Sequence, residues 1–303
     1  MRIGFLGLGV MGAGMVRNLI AHGFDLRVYD VVAAARDAFA DGTCHVASSA
    51  ADAADGVDAL ITILPDWPHV EAALLGPDGA CERLPKGALV VDMSTISASE
   101  SDRIAGRVRE AGFGFVDSPL GRTPADAARG ESLVIVGATD EHMTRLQPLF
   151  DAVGNKTVRA GGPGRGIRLK LVNNYMSTVG AVLAGEALTL ANKAGIDRAA
   201  TVEVLSNTTA GRGQLIVNFP NKVLAGVTTP DFPLRMAHKD VSHALNLGAE
   251  VSAPLYLGAI ARETFGLAKA WGRENEDWTA ALLLLEDIAR AEHQEPIFPD
   301  SSK

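Results

Sequence analysis

Residues 2–30 read RIGFLGLGVMGAGMVRNLIAHGFDLRVYD, and their pattern decides the fold class. RIGFL (2–6) predicts a short buried strand, GLGVMG turns the chain, residues 10–22 form a helix that stops at Gly23, and LRVYD (26–30) forms a second strand. Gly7, Gly9 and Gly12 fit G-x-G-x-x-G between that strand and that helix, with Leu8, Val10 and Met11 filling the loop. Gly7 permits the tight turn, Gly9 lets a pyrophosphate approach the backbone, and Gly12 lets the helix lie close to the strand. The free N–H groups of the helix N-terminus then face the phosphates. Asp30, closing the second strand, accepts hydrogen bonds from ribose hydroxyls and repels a 2′-phosphate. No arginine stands at 31 or 32, and Arg36 lies further on, so NAD(H) is expected rather than its phosphorylated form.

The alternation continues outward. A helix is expected over about 33–40, a strand near 44–46, a helix from Ser49, and an apolar strand over 58–64 that stops at Pro65. Ligands sit beyond the carboxyl ends of parallel strands, so Leu64 and Pro65 should border the cofactor. Helix 67–75, strand 88–92, helix 97–110, strand 114–117, a helical turn in TPADAARG, strand 132–137, helix 140–150 and a strand near 155–158 complete an α/β doubly wound, mostly parallel domain. Ser94 and Thr95 follow strand 88–92, where a hydroxyl either caps the next helix or points into the cleft. Gly121-Arg122-Thr123 follows the next strand: a fork of N–H donors beside a hydroxyl and a glycine amide suits an oxyanion.

Residues 161–177, GGPGRGIRLKLVNNYMS, change the character of the chain. The glycines and Pro163 form a hinge, and a long helix runs on to about Lys193. Lys170, Asn173, Asn174 and Ser177 fall at i, i+3, i+4 and i+7, one stripe of that helix. Apolar residues fill its other faces, so the helix is expected to be buried nearly all round, the alternative being a helix with one solvated face. Burying an amide without a partner costs roughly 2 to 7 kcal/mol, so the stripe needs a cleft, water or ligand. Beyond it the pattern is helical throughout: 197–206, 211–225, 233–250, 255–271 and 279–292. The expected division is a nucleotide domain over 1–162 and an all-α domain over 163–303, with the stripe facing the cleft between them.

The 303 residues suit two domains. A net charge of −8 with no basic cluster argues against nucleic acid or anionic membrane as partner. Cys44 and Cys81 stand apart, without metal-ligand spacing, so neither a disulfide framework nor a metal site is expected. No apolar run of membrane-spanning length appears, the opening glycines favour a folded βα unit over a signal peptide, and the expected compartment is the cytoplasm. The apolar helices point to a homodimer or homotetramer.

GLGVMG, DSPLGRT (117–123), the Gly166, Lys170, Asn173, Asn174 spacing, and His238-Lys239-Asp240 occur in this order over residues 1 to about 290. Together they resemble the β-hydroxyacid dehydrogenases. The resemblance implies a Rossmann domain followed by an all-helical domain, nicotinamide-dependent interconversion of a short acid bearing a primary alcohol with its aldehyde, and a lysine as general acid/base. Lys170 matches that lysine and Asn174 would orient it or the substrate. Lys239 and Phe232 match residues that lie against the cofactor. The departure is at 121–123, where many relatives carry Ser-Gly-Gly to hold a carboxylate. The GRT form resembles members acting on a sulfonate and implies NADH-dependent reduction of sulfolactaldehyde to 2,3-dihydroxypropanesulfonate, a small anionic aldehyde and alcohol pair. A carboxylate semialdehyde (succinic, tartronic or methylmalonic) is the alternative substrate, and a non-catalytic NAD(H)-binding regulator the remote one.

Overall fold

A computed structural model describes residues 1–297. The chain divides into two compact units, Met1–Met176 and Ser177–Lys303, and the division falls inside one continuous helix. In the first unit the order is β1 (Arg2–Leu6), α1 (Val10–Ala21), β2 (Asp25–Tyr29), α2 (Ala33–Asp37), β3 (His45–Val46), α3 (Ala50–Ala53), β4 (Ala59–Thr62), α4 (Trp67–Leu75), β5 (Leu89–Asp92), α5 (Ala98–Glu110) and β6 (Gly114–Asp117). These are followed by β7 (Leu120–Gly121), α6 (Pro124–Ala128), β8 (Ser132–Gly137), α7 (Asp140–Val153), β9 (Gly154–Gly161) and α8 (Arg165–Lys193).

The sheet runs β3-β2-β1-β4-β5-β6 with every pairing parallel, the doubly wound order. β8 pairs antiparallel with both β6 and β7, and β9 lies parallel to β8. Strand residues alternate between two cores: Ile3, Phe5, Ala59, Ile61, Leu89 and Val91 pack with α1 and α7, while Leu6, Leu60 and Val90 pack with α4 and α5. That period of two, on strands apolar on both sides, is what covering both faces with helices demands. The order reverses between β1 and β4, so the crevice beyond their carboxyl ends is where a ligand belongs.

The second unit is helical: the remainder of α8, then α9 (Arg198–Asn207), α10 (Thr209–Arg212), α11 (Asn218–Asn221), α12 (Leu234–Glu250), α13 (Tyr256–Ala270) and α14 (Ala281–Ala289). Leu234, Ala268 and Leu284 form its small core, and Glu186 of α8 accepts the backbone N–H groups of Leu257 and Gly258 at the start of α13. The single helix expected over 211–225 is instead α10, α11 and a 3-10 turn at Val223–Ala225. Gly213 breaks it with φ of 88°, and Pro220 brings no N–H.

The long helix corrects a second expectation. Within α8 only Gly166, Ile167 and Ala191 are buried, whereas Val172, Tyr175, Met176, Val182 and Leu183 are exposed. An apolar run reports a helix that needs covering; it does not say that the same chain supplies the cover. Among the described residues no helix is long and apolar enough to cross a membrane.

Candidate active site

The glycine loop opens a cleft of about 840 Å³ at the carboxyl ends of β1, β2 and β4. Gly7 adopts φ of 106°, and a Cβ there would lie 2.2 Å from the Ile63 carbonyl oxygen. A Cβ on Gly12 would lie 1.9 Å from the Gly7 oxygen, which is the close helix–strand contact the motif requires. Gly9 differs: a Cβ there meets nothing within 4 Å. It would project into a space open to a ligand, at the N-cap of a helix whose first turn has no side-chain cap and no acidic residue. Bare amides, a favourable dipole and room for two oxygens fit a pyrophosphate.

Asp30 sits just past β2, its carboxylate held by the N–H groups of Leu8 (2.7 Å) and Val32 (2.8 Å). Those two donors fix it on the rim of the cleft with lone pairs left over for a ribose. Arg36 donates to the carbonyl oxygen of Asp30 and stacks over Tyr29, so its charge is tied to the end of β2. The Asp30 carboxylate at that point is what disfavours a 2′-phosphate. Leu64 and Pro65 line the cleft with Val10, Met11 and Gly12. Its far wall is made by residues the sequence reading did not single out, among them Val32, Ser48, Ser49, His69 and Asp78. The signal available for them was the Ser48-Ser49 pair directly after a strand end, where a helix cap (Ser49 caps α3) and a ligand contact read alike.

Ser94 and Thr95 do not cap α5; Ser97 does, accepting the N–H of Glu100. Ser94 is 2% exposed, and its hydroxyl accepts the N–H of Leu64, so it ties the ends of β5 and β4 together. Thr95 is exposed. Next to them lie two buried carboxylates, Asp92 and Asp117, paired in register at the ends of β5 and β6. Asp92 accepts from the Thr62 hydroxyl (2.8 Å) and the Ser94 N–H (3.0 Å); burial pushes it up to about 6. Asp117 accepts the N–H groups of Gly164 (2.6 Å) and Ile167 (2.8 Å) at the start of α8, and burial raises it too. Neither carboxylate was singled out from the sequence, although both strands end in aspartate, an unusual residue to bury without a partner.

Gly166 explains how α8 comes so close. A Cβ there would lie 2.5 Å from the Asp117 carbonyl oxygen and 2.8 Å from that of Ile135, so only glycine lets the first turn rest on the ends of β6 and β8. One turn further on is Lys170, partly buried, and burial holds its ammonium below the usual lysine range. Asn173 donates to the Asn174 side-chain oxygen at 3.2 Å; Asn174 is partly buried and Asn173 exposed. Ser177 is exposed and falls in the second unit.

The Gly121-Arg122-Thr123 segment is more committed than the sequence implied. Thr123 caps α6 in a reciprocal capping box with Asp126, so its hydroxyl is engaged. Arg122 takes φ of 72°, a left-handed conformation costing a side chain about 1 to 2 kcal/mol. Its Nη1 donates to the Glu131 carbonyl oxygen (2.5 Å) and to Asn155 Oδ1 (2.7 Å). In the second unit, Phe232 packs edge-on against Trp278 with ring centres 6.0 Å apart, and Lys239 pairs with its neighbour Asp240 at 3.0 Å.

Comparison with known proteins agrees with this geometry. Residues 2–162 match the family described as the NAD binding domain of 6-phosphogluconate dehydrogenase, and residues 164–285 match the one described as NAD-binding of NADP-dependent 3-hydroxyisobutyrate dehydrogenase. The chain is 41% identical to 3-sulfolactaldehyde reductase of Escherichia coli (strain K12), covering 92% of this chain and 94% of that protein. It is 30% identical to the mitochondrial 3-hydroxyisobutyrate dehydrogenase of Homo sapiens, over 94% and 87% of the two chains. Among solved structures, a putative oxidoreductase from Mycobacterium avium 104 superposes with a TM-score of 0.74 at 31% identity, over 89% and 98%. With its glycine cradle, its Asp30 and its all-helical second unit, the chain belongs to the 3-hydroxyisobutyrate dehydrogenase-like, β-hydroxyacid dehydrogenase family and is an NAD-dependent oxidoreductase.

Proposed function

We propose that the protein reduces sulfolactaldehyde to 2,3-dihydroxypropanesulfonate at the expense of NADH. A dinucleotide held at the glycine cradle and Asp30 would supply the hydride. Lys170 supplies the proton: the carbonyl oxygen gains negative charge as the C–H bond forms, and the ammonium, already held below its usual range by burial, donates to it and becomes the neutral amine. Asn174, one turn along the same helix, orients the lysine or the substrate oxygen, and Asn173 supports Asn174 through its amide. Gly121 and Arg122 hold the anionic end, beside Thr123, whose N–H and hydroxyl both go to Asp126 as the cap of α6. Ser94, Thr95 and Ser177 complete the substrate contacts, while Phe232 and Lys239 serve the cofactor.

The observation that carries the choice of substrate is the state of Arg122. Among the described residues its guanidinium is engaged through Nη1 alone, by Glu131 and Asn155, leaving Nε and Nη2 as a parallel pair of donors. A sulfonate offers three acceptor oxygens to such a fork. A backbone that keeps arginine at a left-handed position, where glycine would be unstrained, supports a role for the side chain. The 41% identity to a sulfolactaldehyde reductase supports the same reading. A carboxylate semialdehyde is the second reading, favoured by the likeness to 3-hydroxyisobutyrate dehydrogenase and by the equal fit of a guanidinium to a carboxylate.

The test is NADH oxidation with sulfolactaldehyde and with succinic, tartronic and methylmalonic semialdehydes. The expected result is the largest kcat/KM for the sulfonate; a larger value for any of the carboxylates removes the first reading. Lys170→Ala should reduce turnover at least about 1,000-fold while NADH still binds. The exposed apolar face of α8 supports a homodimer or homotetramer, and two unpaired cysteines suit the reducing cytoplasm. Light scattering that finds a monomer at micromolar concentration would remove the oligomer.

A further inference from the structure

We infer that Asp117 is a positioning residue for the proton donor: from the rigid end of β6 its carboxylate holds the first turn of α8 and thereby fixes where Lys170 stands. This inference rests on the reading of Lys170 as proton donor.

The first N–H groups of a helix have no partner within it, and a carboxylate is their strongest protein acceptor. Here the acceptor comes from 50 residues away in sequence, with Oδ1 on Gly164 N–H at 2.6 Å and Oδ2 on Ile167 N–H at 2.8 Å. Each oxygen therefore fixes a different point on the chain, one before the helix and one within its first turn. The carboxylate cannot drift. Asp117 is 2% exposed, and a Cβ on Gly137 of β8 would come within 2.6 Å of Oδ1, so the β8 backbone closes over it. The absence of a side chain at Gly166 completes the seat. Ile167 and Lys170 are separated by less than one turn, and a helix moves as a rigid rod over that length. A displacement of the anchor by an ångström is a displacement of the Lys170 Cα by a similar amount.

The other tie on this turn is different in kind. Arg168 pairs with Asp102 of α5 at 2.6 Å, but both side chains are nearly half exposed, and such pairs add little. The two ties therefore predict opposite outcomes when broken. The buried anchor also faces a second carboxylate, Asp92, across the β5–β6 pairing, so the carboxylate at 117 stands beside a like charge. Simple packing would favour an apolar residue there.

The experiment compares Asp117→Asn, Asp102→Asn and Lys170→Ala in the full-length enzyme. In Asp117→Asn the amide keeps one acceptor oxygen and turns an NH2 toward a backbone N–H, releasing one of the two points. The expected result is a kcat lower by about 10- to 100-fold, with KM for the aldehyde and Kd for NADH within about threefold of the parent. The primary isotope effect on kcat with 4-deuterated NADH should also rise, because chemistry then limits turnover. Asp102→Asn should leave kcat within about twofold. Asp117→Glu, which keeps the charge but moves it by a methylene, should show the same loss and serves if the asparagine variant does not fold. A folded Asp117→Asn or Asp117→Glu with parental kcat overturns the inference. So does a parallel fall in kcat, NADH affinity and melting temperature with no rise in the isotope effect, which is what general loosening gives. Failure of the underlying reading is seen separately, as retained turnover in Lys170→Ala.

Discussion

Alanine at Gly9 and alanine at Gly12, three residues apart in one loop, should fail in opposite ways. Gly9 has φ of −65° and ψ of −170°, open to any residue, and its added methyl meets nothing within 4 Å. Exchanging glycine for alanine there removes unfolded-state entropy and a slightly better N-cap, so the effect on folding should stay within about 1 kcal/mol. The methyl instead occupies the place where a phosphate must reach the helix amides. Two charge-assisted hydrogen bonds lost at about 1.5 kcal/mol each amount to about 3 kcal/mol, or roughly a 100-fold rise in Kd for NADH. At Gly12 the methyl would stand 1.9 Å from the Gly7 carbonyl oxygen and 3.1 Å from Ile63 Cγ2, and the obstructing oxygen is backbone. α1 must move off the sheet, at an overpacking cost of about 1 to 3 kcal/mol or more. Fluorescence titration with NADH and urea unfolding of each variant measure the two effects. Gly9→Ala with parental NADH affinity, or with the same loss of stability as Gly12→Ala, would refute the view that Gly9 serves the phosphate and Gly12 the packing of α1.

Two further predictions concern charge. Arg122→Gly should relieve the left-handed strain of about 1 to 2 kcal/mol while giving up exposed hydrogen bonds of comparable worth, so unfolding changes little. Steady-state kinetics should nevertheless show KM for the anionic aldehyde rising at least about tenfold with Kd for NADH unchanged, and an unaltered KM would put the anion elsewhere. Asp92 titrates near 6 in the fold against 3.8 for the free residue, because burial opposes its ionised form. Its folded pKa is raised, so its contribution to stability is full below about pH 3.8 and is lost as the pH climbs through 6. Between pH 5 and 8 that loss amounts to about 1.4 kcal/mol. Urea unfolding at the two pH values should show Asp92→Asn losing less stability over this interval than the parent by about that amount, and an identical pH dependence in both would refute the assignment.

The glycine spacing, the short apolar strands and the place of Asp30 at the end of the second one were legible because local rules set them. A turn that needs φ of 106° admits glycine wherever it occurs, and a strand covered on both faces must be apolar on both. The long helix and its Lys170 stripe were legible for the same reason, since helical spacing alone aligns residues 170, 173 and 174. The cover over the other faces of α8 was misread, because apolar spacing says that a face wants burial and nothing about which chain buries it. The Asp117 anchor, the left-handed Arg122 held by Asn155, and the Ser94 tie to Leu64 depend on pairs separated by 30 to 50 residues. Such pairs leave no periodicity in the sequence. The sequence by itself determined the nucleotide cradle and the helix that carries Lys170; only the tertiary structure decided which buried carboxylate holds the first turn of that helix, because the ends of β6 and α8 meet only after the sheet has formed.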